Sequence, residues 1–275
     1  MAINQRKAEE KKQEEIIERR APPGDVVYKA IYAEGKHELE RNNLELGLSG
    51  LSAGLSMGFS MVGEALLRAH LPAAHWAPLL SKFGYSLGFL IVILGRQQLF
   101  TKNTLTVILP LLREKKMAMV ANVLRLWGIV LAANLIGAFI FASLIEISNA
   151  FSPEVRNAFL AMGQSSMNAG FGDILVRGIV SGWLIALMVW LLPFAESARI
   201  WVIILLAYVI GLADLPHVVA GSAEVFYLVT AGAVGFWVAM GAYVCPALVG
   251  NVIGGVALVA VGAHAEFVEA DEKLK

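Results

Sequence analysis

The chain has 275 residues, 57% of them hydrophobic and only 16% charged, with a mean hydropathy of +0.66. A water-soluble domain carries about 25% charged residues, so an ordinary globular composition is excluded. A formal net charge of zero leaves no electrostatic footprint for nucleic acid, and the single cysteine, Cys245, rules out a disulfide framework or a cysteine zinc site.

Residues 1–24 mix both charges and end in Pro22-Pro23-Gly24, which reads as a solvated, partly ordered tail. The first 43 residues hold no apolar stretch of the kind a cleavable signal requires. Over 25–42, Val26, Val27, Ala30, Ile31 and Ala33 gather near one face, among Lys29, Glu34, Lys36, Glu38 and Glu40. This pattern predicts a short amphipathic helix lying at the cytoplasmic interface.

A membrane span needs about 20 apolar residues. The first falls at 44–67. The second starts near Phe83, is interrupted at Arg96-Gln97-Gln98, resumes after Thr101-Lys102-Asn103 and ends near Leu112. The third covers 118–147 and the fourth 173–194. The fifth begins near Ile200, is interrupted around Asp214-Leu215-Pro216-His217 and resumes from Ser222. The sixth covers 236–262 and contains Cys245, expected to be an inert buried thiol. The chain therefore divides into a charged segment (1–43), a transmembrane domain (44–262) and a short tail (263–275).

Lysine and arginine set the orientation. The N-terminal segment carries nine of them, Arg113, Lys115 and Lys116 follow the second span, and Arg199 follows the fourth. The opposite side holds Arg68, Lys82 and Arg156. Both termini are expected in the cytoplasm, as an even number of spans requires.

Gly50 and Gly54 in span one answer to Gly178 and Gly182 in span four, and Asn134 and Gly137 in span three answer to Asn251 and Gly254 in span six. These similarities pair spans 1–3 with spans 4–6. The interruptions fall at matching places, the plan of an inverted repeat with its conduction path at the broken helices. Glycine spacing alone is equally a packing motif; it does not account for two matched polar interruptions. The breaks carry Arg96 and Lys102 on one side and Asp214, Glu224 and His217 on the other. Ionisable residues at membrane depth point to function by default. The expectation is cross-pairing between the two sets, such as Arg96 with Asp214 or Glu224.

The stretch Phe83-Gly-Tyr-Ser-Leu-Gly88-Phe89, followed by Gln98-Leu99-Phe100-Thr101, resembles the formate/nitrite transporter family, whose second helix breaks at a Leu-Phe-Thr loop. Leu126-Trp127-Gly128 and Asn134-Leu-Ile-Gly137 are similar to that family's third helix, and His217 falls where the family has its central pore histidine. Arg125-Leu-Trp127-Gly128 and Ser181-Gly182-Trp183-Leu184-Ile185 look like its YfdC-like branch.

The resemblance implies an all-α, aquaporin-like protomer of six transmembrane helices, two inverted three-helix repeats with helices 2 and 5 broken, in a homopentamer with a pore in each protomer. It implies apolar constrictions on each side of His217, with Leu99 and Phe100 at one, Thr101 beside them, and Phe89 and Ile210 in the walls. The permeant implied is a small monovalent anion or its conjugate weak acid, with His217 donating or relaying a proton. No cofactor, metal or nucleic acid is implied, and the other partner is membrane lipid. The chain departs from the family at Ala186, where an asparagine is expected, and at Ala169-Gly170-Phe171-Gly172-Asp173, where an outer-loop lysine is expected; Arg177 stands nearby in the vestibule. Two readings stay open beside the anion channel: a facilitator of neutral solutes and a non-conducting membrane scaffold.

Overall fold

The computed structural model describes residues 23–260 and 262. The readings made for residues 1–22 and 263–275 lie outside the described residues.

In chain order the helices are α1 (Gly24–Glu40), α2 (Asn43–His70), α3 (Ala77–Leu94, with a tight turn at Lys82–Tyr85), α4 (Phe100–Thr106) and α5 (Ile108–Glu114). They continue as α6 (Met117–Ser148), α7 (Pro153–Met167), α8 (Phe171–Leu191), α9 (Arg199–Leu212), α10 (Ala220–Thr230) and α11 (Phe236–Ala257). Five of these segments, α2, α3, α6, the α8 region and α11, are long and apolar enough to cross a membrane. With 14 and 11 residues, α9 and α10 reach only about 21 and 16 Å at 1.5 Å per residue.

The helices cross where glycine lets backbones touch. A Cβ on Gly54 would run into the backbone of Asn134, and one on Gly182 would run into the backbone of Asn251. Gly137 and Gly254 return the contact, against Leu51 and Ile179. So α2 lies tightly on α6 and α8 on α11, the small-residue packing expected where lipid supplies no hydrophobic drive between helices.

Two features differ from the sequence reading. First, α1 does not lie on lipid alone. It buries Tyr28, Ile31 and Leu39, and Gly35 sits against the Thr106 carbonyl. Lys36 pairs with Glu114 at 3.0 Å, Tyr32 donates to Glu114 at 3.1 Å, and Arg125 on α6 donates to the Leu39 and Arg41 carbonyls at 2.8 and 3.1 Å. Protein contacts hold this helix, since Glu34 and Glu38 also face Lys102 of α4, at 2.9 and 3.6 Å. Second, Cys245 is exposed. The wide turn at Met240–Val244 places Tyr243 and Val244 inward and rotates Cys245 to the outside.

Helix α7 was not anticipated. Ser152 precedes Pro153 at the first turn and Glu154 follows, a start signal of ordinary kind. Its buried face, Val155, Phe159, Met162 and Gly163, lies against α10, where Gly163 meets the Glu224 carbonyl and Leu228.

Gly54→Ala should destabilise the detergent-solubilised protein by about 1–3 kcal/mol through overpacking. Gly128→Ala, where an added methyl meets nothing within 4 Å, should be neutral or stabilise by up to about 1 kcal/mol. Equal melting temperatures for the two variants would refute this account of the crossing.

Glu114 lies outside the spans, and Lys36, Lys116 and Tyr32 hold its carboxyl down at about 2. A depressed carboxyl contributes stability above its ordinary pKa and loses it as pH falls toward the depressed value. Amide protection over Gly24–Glu40, taken relative to the intrinsic exchange rate at each pH, should therefore be flat from pH 7 to about 5 and fall below about 4.5. Glu114→Gln should exchange faster already at neutral pH; a variant as protected as wild type would count against this anchor.

Candidate functional site

The site begins with two helix ends. Helix α3 stops with Arg96 at φ 51°, and α9 stops with Asp214 at φ 46°, both left-handed. The Gln97 N–H reaches back to the Val92 carbonyl at 2.9 Å, and the Leu215 N–H to the Ile210 carbonyl at 2.9 Å. Each end is thus a six-to-one closure with a residue other than glycine in the left-handed position. Arg177 Nη2 donates to the Ala213 and Asp214 carbonyls at 3.0 and 2.8 Å, a cation satisfying the C-terminus of α9.

Beyond each end the chain runs non-helical for a few residues, and an asparagine from a neighbouring helix holds it. Asn134 Nδ2 donates to the Gln98 carbonyl at 2.8 Å, and its Oδ1 accepts the Phe100 N–H at 2.9 Å. Asn251 Nδ2 donates to the Pro216 carbonyl at 2.9 Å, and its Oδ1 accepts the Val218 N–H at 2.8 Å. The second Nδ2 hydrogen goes to Gly50 O at 2.8 Å in one case and Gly178 O at 2.9 Å in the other. The two clamps are alike residue for residue, and the residue framed by each is Leu99 in the first and His217 in the second.

His217 is fully buried. Its Nδ1 accepts the Ala220 N–H at 3.1 Å, capping the start of α10. A backbone N–H can only donate, so Nδ1 carries no proton and the neutral ring holds its hydrogen on Nε2. That hydrogen points to Thr101 Oγ1, 2.7 Å away on the other break. Phe89 lies edge-on to the imidazole, ring centroids 5.0 Å apart.

Two cavities approach this centre from opposite sides. The one on the α1 side is about 400 Å³ and is lined by Leu99, Val92, Val189 and Arg96, among others. It carries Arg41, Arg96, Lys102 and Arg199 against Glu34 and Glu38. The far-side cavity is about 90 Å³ and reaches Tyr85, Ile210 and Pro216. It carries Arg68, Lys82 and Arg177 against Glu64, Asp214 and Glu224. Helix α3 passes from Tyr85 at one cavity through Phe89 to Val92 at the other, about 10 Å at helical rise. Ala186, buried on α8 between Arg177 and Val189, presents only a methyl in the same interval.

The charges pair otherwise than the sequence suggested. Asp214 joins Lys82 at 2.7 Å rather than Arg96, and Lys82 also reaches Glu64 at 2.9 Å. Lys102 pairs with Glu34 at 2.9 Å and lies 3.6 Å from Glu38, and Gln98 donates to Glu38. Glu224 accepts from Ser166 Oγ at 2.6 Å. Arg96 opens into the α1-side cavity. Arg96 opens into one cavity and Asp214 and Glu224 into the other, so the two sets of charges do not meet across the barrier. Glu64, Lys82, Glu38 and Gln98 were not singled out as site residues. A lone carboxylate in an apolar span was the available signal for Glu64. The asparagines were legible as a matched pair but not as backbone clamps.

An all-helical protein with several bilayer-long apolar helices and short helices between them is a multi-pass membrane protein, and its fold is that of a known class of channels. A pentameric formate channel solved with formate bound superposes with a TM-score of 0.68 at 20% identity, over 82% of this chain and 98% of that one. The sequence matches the formate/nitrite transporter family over residues 25–265, and the chain belongs to that family. It is 38% identical over 265 residues to the inner membrane protein YfdC of Escherichia coli K12, covering 96% of this chain and 86% of that protein. It is 28% identical over 225 residues to the formate channel BtFdhC of Bacillus thuringiensis, covering 78% and 83% of the two chains.

Asn134→Ala and Asn251→Ala each strip partners from buried carbonyl and N–H groups, at about 1–3 kcal/mol per orphaned group. Both variants should melt well below wild type in detergent, by similar amounts. A wild-type melting temperature for either would show that its break is held by something else.

Proposed function

We propose that this chain conducts a small monovalent anion, or its conjugate weak acid, across the bacterial inner membrane through a pore in each protomer of a homopentamer. The spans form two inverted repeats of three. In this reading α3, α4 and the part of α5 up to about Leu112 make the broken second span and α9 with α10 the broken fifth, with both termini in the cytoplasm. The observation that carries the proposal is the pair of asparagine-clamped breaks, which set an apolar Leu99 and a polar His217 at equivalent places between two water-accessible cavities. Family membership and the formate channel among its relatives support the permeant class.

The chemistry follows from desolvation. Taking a bare anion through about 10 Å of apolar wall costs tens of kcal/mol in the Born limit, whereas a small neutral acid crosses cheaply. The α1-side cavity gathers anions through its surplus of two positive charges, four cations against two carboxylates. Leu99, Phe100, Phe89 and Ile210 exclude hydrated ions. The His217–Thr101 pair offers the permeating acid a polar resting point midway, and Ala186 leaves that point without the additional amide found in relatives. Arg177 belongs to the vestibule as the cap of α9.

Reconstituted protein should pass formate and nitrite faster than a neutral polyol, with formate uptake rising as external pH falls. Polyol flux alone would favour a neutral-solute facilitator, and silence with every solute a non-conducting scaffold. His217→Ala removes the polar midpoint and uncaps Ala220; loss of about 1.5–3 kcal/mol of interaction corresponds to roughly 10–100-fold slower uptake. Wild-type uptake by His217→Ala would take His217 out of the path.

A further inference from the structure

We infer that Glu224 is the group that hands a proton to an anion entering from the far-side cavity, an inference that rests on the weak-acid reading above. The passage requires a proton donor, and His217 is badly placed to be one. Its Nδ1 is occupied by the Ala220 N–H and its single proton is committed to Thr101. A neutral imidazole giving up its only N–H would become an imidazolate in an apolar wall. A carboxyl group carries a transferable proton without that penalty.

The far-side cavity contains three carboxylates, and two of them are taken. Lys82 Nζ lies 2.9 Å from Glu64 and 2.7 Å from Asp214, and Arg68 lies 3.6 Å from Glu64. Arg177 is directed at backbone carbonyls. Glu224 is different. It is 7% exposed, lines the cavity next to Gly221 and Pro216, and its partner is the Ser166 hydroxyl rather than a cation. Gly221 and Glu224 stand four and seven positions after His217, the spacing of one helical face. A buried carboxyl without an ion pair, on the wall of a water-sized chamber beside the break, is built to cycle between acid and anion.

Other groups set its surroundings. Packed around α10 are Glu64 and Arg68 from α2, Lys82 and Tyr85 from α3, Arg177 from α8, Asp214 after α9 and Tyr243 from α11. Glu146 of α6 is paired with Arg156 of α7 at 2.8 Å, farther along α10 beside Tyr227. With Glu224 holding its proton, the far-side cavity carries three cations against two ionised carboxylates, a surplus of one beside the surplus of two on the α1 side, so it draws anions less strongly. It passes the permeant by neutralising it.

The step balances. The Glu224 O–H bond breaks as an O–H bond forms on the anion, giving the neutral acid and a Glu224 carboxylate held by the Ser166 hydroxyl and the field of Lys82. The acid crosses past His217 and releases its proton to water in the α1-side cavity. Water on the far side reprotonates Glu224. One proton travels with each anion and no net charge moves.

The test uses full-length wild type, Glu224→Gln and Ser166→Ala in liposomes under a formate gradient, with an internal pH dye and a membrane-potential dye. Wild type should carry one proton per formate without building a potential. In Glu224→Gln, proton entry per formate should fall at least about tenfold, and the residual formate flux should generate a potential. Ser166→Ala keeps the carboxyl but removes the donor that favours its anion, so the pH midpoint of uptake should move upward. Formate uptake by Glu224→Gln with unchanged proton stoichiometry and pH profile would overturn the inference while leaving the channel reading intact. An unmoved midpoint in Ser166→Ala would overturn it even if Glu224→Gln failed to assemble. A wild type that moves no formate would remove the underlying reading as well.

Discussion

Unpaired backbone is not tolerated in hydrocarbon, and this constraint organises the molecule. Chain that leaves the helix at membrane depth exposes N–H and C=O groups that lipid cannot satisfy. Here each break is closed twice. A six-to-one turn ends the incoming helix at Arg96 or Asp214, and an asparagine then takes one carbonyl and one N–H beyond it. The third bond of each asparagine, to Gly50 or Gly178, ties the break to the helix that the glycine contacts bring within reach. Remove the glycines and the asparagines no longer meet their targets. Remove the asparagines and the breaks have no reason to stay dry.

The two breaks differ in one respect that shapes their surroundings. Gln98 has an N–H and needs an acceptor, which Ser49 Oγ supplies at 3.1 Å. Pro216, at the equivalent place, has no N–H. The position before Gly178 is thereby relieved of that duty, and where α2 carries Ser49, α8 carries Arg177, directed at the end of α9 instead. One proline thus permits a cation at the far-side cavity. The same asymmetry sets Leu99 against His217. A purely apolar pair would leave the middle with no polar rest point, and a histidine pair would hydrate both gates.

The strong apolar runs disclosed most of the helices, because a span of bilayer length has few alternative explanations. The interruptions at Arg96 and Asp214 were legible for the same reason: charge inside such a run is expensive. What the sequence did not disclose was partnership. Lys82 looked like a loop cation, yet the turn at Lys82–Tyr85 aims it at Glu64 and Asp214. Amphipathicity in α1 reads equally as lipid-facing or protein-facing, and Gly35 against Thr106 decides it only in three dimensions. Helix α7 escaped because its composition is neither apolar enough for a span nor polar enough for a loop. Cys245 turned outward because a wide helical turn shifts phase, which periodicity cannot register.

The charge patterns of the two cavities argue for different tasks at the two ends. A surplus of cations on the α1 side raises the local concentration of anions without binding any one of them, because Arg96 and Arg199 stand on separate elements around a roomy chamber. The far side is smaller, its ion pairs are closed upon themselves, and its surplus with Glu224 protonated is one charge rather than two, so an arriving anion finds less net attraction there. Simple electrostatic capture at both mouths would trap the ion between two wells with an apolar ridge in the middle. Capture at one mouth and neutralisation at the other removes the second well and lowers the ridge for the species that reaches it.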